Sequence, residues 1–211
     1  MLRDNIVYFK EFVSEFKNVG SICPSSKWAS KALAAPVRTI PGPKRILEIG
    51  AGTGSVTKYL LRYMGEQDEL GICEISSRFM HELKIKLLEN PDYVRHQKRI
   101  SFFECPVQDM PEEKPFDIMV CALPFLNFDI ETLDEIFSKF MHLGHNGTIM
   151  TYFEYIGLRK LGKVLNLDRE KQRVKEVEAY LYGRCMPRRI GQRTIWLNVL
   201  PINVYTLNMA A

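Results

Sequence analysis

Between residues 46 and 57 the chain reads Ile46-Leu-Glu-Ile-Gly-Ala-Gly-Thr-Gly-Ser-Val-Thr57. An apolar run leads through an acid into glycines at alternate positions: Glu48, Gly50, Gly52 and Gly54. Glycine at this spacing serves a sharp turn, or lets a ligand lie against the backbone. The segment predicts a buried strand, a glycine turn and the start of a helix, the nucleotide-binding corner of a doubly wound α/β sheet. Glu48 restricts the charge of the ligand. A helix N-terminus that cradles phosphate favours anions, and a carboxylate beside it opposes one. A ligand carrying an α-ammonium and a sulfonium suits that carboxylate, so the motif favours S-adenosylmethionine (SAM) over a dinucleotide.

Three further strand ends complete the set. Leu70-Gly-Ile-Cys-Glu74 predicts a second strand ending in an acid. An acid about 20 residues beyond the glycines is placed to grip a ribose diol. Ser101-Phe-Phe-Glu-Cys105 predicts a third strand, and Asp109 in the loop after it can accept a hydrogen bond from an adenine amino group. Phe116 to Ala122 predicts a fourth strand, which runs into Leu123-Pro-Phe-Leu-Asn127. The polar and turn residues of all four ends fall on one side, where open parallel sheets bind ligands.

The elements that must hold these residues alternate along the chain. Helices are predicted over Ser55 to Met64, Ser77 to Glu89 (stopped at Asn90-Pro91) and Glu131 to His142. Gly147 to Phe153 predicts a fifth strand, and Arg169 to Tyr182 a long polar helix. Thr194 to Leu200 and Asn203 to Leu207, separated by Pro201, predict two closing strands. The connection between them is too short for a crossover helix, so the last strand is expected antiparallel. The expected fold is α/β: a Rossmann-like, seven-stranded mixed sheet with helices on both faces. It forms one domain over residues 1–211, with an N-terminal helical extension over 1–40 and the core over 44–211. Within the extension, Ile6, Phe9, Val13 and Phe16 fall at helical spacing opposite a charged face. Such an amphipathic helix packs on the domain or lies in a membrane interface. Ser25 or Ser26 can cap the helix that starts near Lys27. Ile40-Pro-Gly-Pro43 breaks the chain before the first strand.

Composition narrows the class. At 211 residues, 46% hydrophobic and 26% charged, the chain suits one globular domain with a sizeable core. No apolar run spans a bilayer, and the N-terminus lacks a signal-peptide layout, so a cytoplasmic location is expected. The five cysteines (Cys23, Cys73, Cys105, Cys121, Cys185) are scattered, and they are expected to be reduced packing residues. His142 and His145 have metal-ligand spacing but no thiol or carboxylate partners in sequence, so a turn is expected and no metal. The net charge of +4 is uneven: residues 159–193 hold eleven Lys/Arg against four acids. A basic region of this kind suits an anionic partner, a phospholipid surface or a nucleic acid. Asp168 to Glu178 is expected to be a solvated helix, and the functional candidates are Arg184, Arg188, Arg189 and Arg193.

The chain resembles the class I SAM-dependent methyltransferases. Within them it is similar to bacterial phospholipid N-methyltransferases, which methylate phosphatidylethanolamine. The resemblance rests on Phe16-Lys-Asn-Val-Gly-Ser-Ile-Cys-Pro-Ser-Ser26, Glu48-Ile-Gly-Ala-Gly-Thr-Gly54, Ala122-Leu-Pro-Phe-Leu-Asn127 and Arg193-Thr-Ile-Trp-Leu-Asn-Val-Leu-Pro-Ile-Asn-Val-Tyr205. It is also similar to ribosomal RNA adenine dimethylases, which carry Asn-Leu-Pro-Tyr after strand four. This chain has Ala122 where those have the Asn, which argues against adenine as the acceptor. The region from about Arg159 to Met186 is longer than the lipid enzymes lead one to expect.

The resemblance implies a direct methyl transfer that depends on alignment. Glu48 and the glycine turn would hold the methionine part of SAM, Glu74 the ribose and Asp109 the adenine. Ser25 and Ser26 would close the pocket, with Ala122 beside the cofactor. Leu123, Pro124 and Asn127 would face the acceptor nitrogen. Tyr152 and Tyr155 would meet the growing methylammonium by cation–π attraction, and Arg189 or Arg193 would hold a lipid phosphate. The product would be S-adenosylhomocysteine (SAH), and the enzyme would dock reversibly on an anionic membrane. Other readings are a nucleic-acid adenine methyltransferase, a small-amine methyltransferase and a non-catalytic protein that binds SAM and lipid.

Overall fold

The computed structural model describes residues 26–156, 168–198 and 200–210. The helix expected over Ile6 to Phe16, as well as Cys23, Ser25 and Arg159, lies outside the described residues. Seven strands form one sheet in the order β3-β2-β1-β4-β5-β7-β6. They are β1 (Arg45–Ile49), β2 (Glu69–Cys73), β3 (Ile100–Phe103), β4 (Ile118–Cys121), β5 (Ile149–Tyr155), β6 (Arg189–Ile195) and β7 (Ile202–Asn208). The first five pair in parallel. β7 is antiparallel to both β5 and β6, as expected for strands joined by a short hairpin.

Strand alternation divides the core into two layers. Leu47, Ile49, Met119, Cys121, Met150 and Tyr152 point to one face. That face is covered by α6 (Ile130–Leu143) and α7 (Asp168–Cys185). α6 buries Leu133, Ile136, Phe137, Phe140 and Leu143, a stripe at helical spacing, and each large side chain contributes about 2–3 kcal/mol. Asp129 caps it, accepting the Thr132 N–H at 2.7 Å. α7 buries Val177, Leu181 and Cys185, one residue per turn, with Tyr180 packed beside them. Ile46, Leu70, Ile72, Ile118 and Val120 point to the other face. There they meet α1 (Lys27–Leu33), α2 (Ala35–Thr39), α3 (Thr57–Tyr63) and α4 (Ser77–Leu88).

Two elements differ from expectation. Asn90-Pro91 ends α4 but also starts α5 (Pro91–His96), because the Asn90 side chain accepts the N–H groups of Asp92 and Tyr93 and proline suits the first helical position. β6 begins at Arg189 rather than Thr194 and ends at Ile195, leaving Trp196, Leu197, Asn198 and Leu200 in the connection to β7. The expected strand followed the apolar run Ile195 to Leu200, whose Trp196 and Leu197 are exposed. The described cysteines, Cys73, Cys105, Cys121 and Cys185, are free thiols. His145 bonds Asp117 and the Asn146 carbonyl, and His142 the Ser138 carbonyl.

Candidate cofactor and acceptor site

β1 lies between β2 and β4, so the C-terminal ends of these three strands meet where the winding of the sheet reverses. The glycine turn leaves β1 at this point. Gly50 and Gly54 have φ of 76° and 89°, a region open to glycine at little cost. Space is also restricted there. A Cβ on Gly50 would lie 2.9 Å from Leu123 Cδ2, and one on Gly54 2.6 Å from Leu83 Cδ1. The first contact joins the glycine turn to the loop after β4, and the second seats it on α4. The N–H groups of Gly50 and Ala51 donate to the Cys73 carbonyl at the end of β2. The Ala122 N–H donates to the Ile49 carbonyl at 2.8 Å. Backbone contacts thus tie the turn to both neighbouring strand ends.

Glu48 and Glu74, both buried at this corner, are satisfied differently. Glu74 accepts the Gly52 N–H at 2.8 Å and the Ser76 N–H at 2.9 Å, one on each oxygen. Burial raises its pKa, and these N–H groups partly offset the rise. Ser76 in turn caps α4, accepting the Phe79 N–H. Glu48 has no exposure; the Thr57 hydroxyl and N–H approach its carboxyl closely enough to favour its charge, but neither reaches hydrogen-bond geometry, so the carboxyl oxygens and that hydroxyl stay unsatisfied. Burial pushes the Glu48 pKa up to about 8; nearby Thr57 moderates the rise, and the Glu74 charge adds to it. A buried polar group without a partner is costly, and native proteins seldom leave one. An orphaned carboxyl beside a positive-φ glycine cradle fits a cationic ligand lying on the backbone.

The other expected residues are distributed unevenly. Ala122, Leu123 and Pro124 sit at the corner, half-buried, in the loop that touches Gly50. Asp109 is exposed at the end of the turn Val107–Asp109, on the same side of the sheet. Ser26 caps α1, accepting the Ala29 N–H at 3.3 Å, and its own N–H donates to Asn198 Oδ1 at 3.0 Å. Asn127 is exposed, on the turn Phe125–Asn127.

Tyr152 does not face an acceptor. It has no exposure and stacks on Tyr205 at 5.2 Å, with the Phe125 ring at 5.4 Å. Its hydroxyl lies against the Cys185 thiol without a well-formed hydrogen bond, and burial raises its pKa. Tyr152 is a core residue, and the catalytic expectation for it is corrected. Tyr155, three residues on, packs at 5.3 Å against Phe153 on the opposite face, because strand side chains alternate. The two tyrosines therefore cannot form one cage. Arg189 is also corrected. It starts β6 at the N-terminal end of the sheet, opposite the glycine turn, and bonds Gln192. Arg193 lies on the same edge strand, four strands from β1, about 19 Å at the usual spacing.

One residue that matters here was not singled out from the sequence. Arg173 on α7 donates at 3.2 Å to the carbonyls of both Leu126 and Phe128. It pins the loop after β4 across 45 or more residues of chain. A basic residue in a charged polar helix gave no signal of this.

Residues 46–147 match the family described as "Methyltransferase domain". The matched segment runs from β1 to the turn before β5, and the sheet has the Rossmann-like methyltransferase fold. Solved structures with this fold agree. An O-methyltransferase from Bacillus cereus in complex with SAH is 17% identical and superposes with a TM-score of 0.59, over 85% of this chain and 80% of that one. The O-methyltransferase TomG from Streptomyces achromogenes, in complex with SAM, is 20% identical over 85% and 78%, with a TM-score of 0.58. A protein from Clostridium thermocellum provisionally named an rRNA methylase is 18% identical over 83% and 95%, with a TM-score of 0.59. No curated sequence matches the chain at a significant level.

Proposed function

We propose that the methyltransferase domain uses SAM to methylate an amine nitrogen, with phosphatidylethanolamine at a membrane surface as the acceptor and SAH as the product. The observation that carries the cofactor assignment is the orphaned Glu48 carboxyl at the positive-φ glycine turn. SAM supplies an electrophilic methyl on sulfur. Gly50 and Gly54 let the backbone approach it, and Glu48 pairs with its α-ammonium. Glu74, already rigid on two N–H groups, keeps lone pairs for the ribose diol. Asp109 is placed for the adenine amino group, and Ser26 holds the N-terminal flank through Asn198.

The acceptor side is the loop from Ala122 to Asn127. The carbonyls of Pro124, Phe125, Leu126 and Phe128 are taken by the loop's own turns and by Arg173. Ala122 and Leu123 accept none of these loop bonds among the described residues, so their carbonyls are the acceptors offered to an amine N–H. Alignment of that nitrogen with the methyl group is the main catalytic contribution. The lipid assignment is supported by the resemblance over four segments and by Ala122, which cannot hold an adenine through a side-chain amide.

The deciding experiment offers methyl-labelled SAM to anionic vesicles containing phosphatidylethanolamine and, separately, to ribosomal RNA. Label in the lipid is expected. Label in the RNA alone would replace the lipid reading with the adenine one, and the basic stretch from 159 to 193 would then be its nucleic-acid surface.

A further inference from the structure

We propose that the hairpin between β6 and β7 is a membrane-insertion tip, through which the molecule docks on an anionic phospholipid bilayer. The inference deepens the lipid reading above and identifies the surface that would bring the acceptor loop to its substrate. Trp196 is 70% exposed, Leu197 68% and Leu200 37%. These are three large apolar side chains within five residues, in a position where burial does not account for them. Beside the hairpin stands the N-terminus of α1, tied to it by the Ser26 N–H to Asn198 bond, and Trp28 there is 42% exposed.

Register places this tip at the end of the sheet where the cofactor corner opens. β6 runs parallel to β5, so its last residue, Ile195, emerges at the same end as Ile49 and Cys121. Ile195 pairs with Ile202, and Ile202 with Tyr155. β4 pairs Val120 with Thr151 and ends at the next residue. The β5–β7–β6 edge therefore extends three residues past the end of β4, about 10 Å. The tip therefore starts about 10 Å past the end of β4, on the side of the sheet where the loop with Leu123 and Pro124 leaves.

The charges around it fit a bilayer. Lys27 lies 5.2 Å and Lys31 5.8 Å from the Trp28 ring centroid, and Arg193 is two residues from Ile195 in β6. None of the three pairs with an acid among the described residues. Tryptophan and leucine on a protruding hairpin, with cations set back beside it, match an acyl-chain layer below a negative headgroup layer. Nucleic acid would use the cations but has no use for Leu197 and Leu200.

Trp28 and Trp196 are the only tryptophans, so fluorescence can test the tip directly. The full chain carrying Trp28→Phe reports Trp196 alone. It is mixed with vesicles of phosphatidylglycerol and phosphatidylcholine, which contain no proposed methyl acceptor. The expected result is a blue shift of Trp196 emission and its quenching by brominated acyl chains. Leu197→Ser with Leu200→Ser is expected to weaken partitioning about tenfold or more. Lys31→Glu should weaken it about fivefold or more, with the loss masked by high salt. SAM affinity and the unfolding temperature should hold in these variants, since the side chains changed are on the surface.

Vesicle binding with Trp196 left in water would overturn the proposal, and so would a failure to bind vesicles. A blue shift that depends on protein concentration without lipid would assign the tip to a second copy of the chain. Quenching without methyl transfer to added phosphatidylethanolamine would uphold docking and defeat the acceptor reading. Transfer to that lipid in detergent micelles, with Trp196 still in water on vesicles, would do the reverse.

Discussion

The cofactor corner and the acceptor side are built by different means. At the corner, three strand ends and a glycine turn are joined by short backbone contacts, and the chemistry sits in residues close together in sequence. On the acceptor side, the loop after β4 is held by Arg173 from a distant helix, and its floor is Phe125 and Tyr152 in the core. On the reading proposed above, cofactor binding is a local property of this chain, whereas choice of acceptor depends on packing between distant segments. Substitutions on the two sides should therefore separate SAM affinity from acceptor handling.

The largest effect is expected at Glu48. Glu48→Gln should weaken SAM binding about a hundredfold, measured by calorimetry, because the ammonium loses its carboxylate. The same variant should be more stable than the parent. The folded pKa of Glu48 is raised to about 8, so the folded chain keeps a proton that the unfolded chain releases above the ordinary carboxyl range. Stability contributed by this group is full below about pH 4 and falls as pH rises towards 8, by a total on the order of 5 kcal/mol. Urea titrations at pH 5 and pH 8 should show that slope in the parent and its loss in Glu48→Gln. In the parent, SAM affinity should rise between pH 6 and 7, with proton release on binding. A slope unchanged by the substitution would show that Glu48 is already charged and paired in the free protein.

Gly54→Val comes next. A side chain there would adopt a φ of 89° and collide with Leu83, so a loss of about 2–3 kcal/mol and of SAM binding is expected. Arg173→Ala should raise the acceptor KM about tenfold and leave the SAM Kd within about twofold, since two carbonyl bonds to the loop are lost. An equal loss in both would mean that the two sides are not separable. The smallest effect is expected at Tyr152. Tyr152→Phe removes a buried hydroxyl that has only a poorly formed contact with the Cys185 thiol, so turnover should stay within about twofold and stability should hold or rise by up to about 1 kcal/mol. A tenfold fall in kcat would return Tyr152 to the reaction.

Much of this was legible in the residues, for identifiable reasons. The glycine spacing and strand-end acids were readable because positive φ and close approach restrict residue type locally. The mixed sheet followed from short connections and apolar runs. The Tyr152–Tyr155 pairing failed on strand periodicity, since residues three apart take opposite faces. β6 was misplaced because its edge position leaves Ile190, Arg193 and Thr194 exposed, giving no apolar pattern, while the exposed hairpin has one.

By itself, then, the sequence determined a glycine turn, two acids at strand ends and the sheet that presents them, because each is set by backbone sterics and period-two burial within a few residues. Only the tertiary structure decided that Glu74 is satisfied while Glu48 is not, that Tyr152 is core, that Arg173 holds the loop after β4, and that Trp196 stands exposed past the end of β6. Those outcomes depend on which groups from distant segments share a dry volume, and hydrogen-bond satisfaction in that volume is a property of the packed chain.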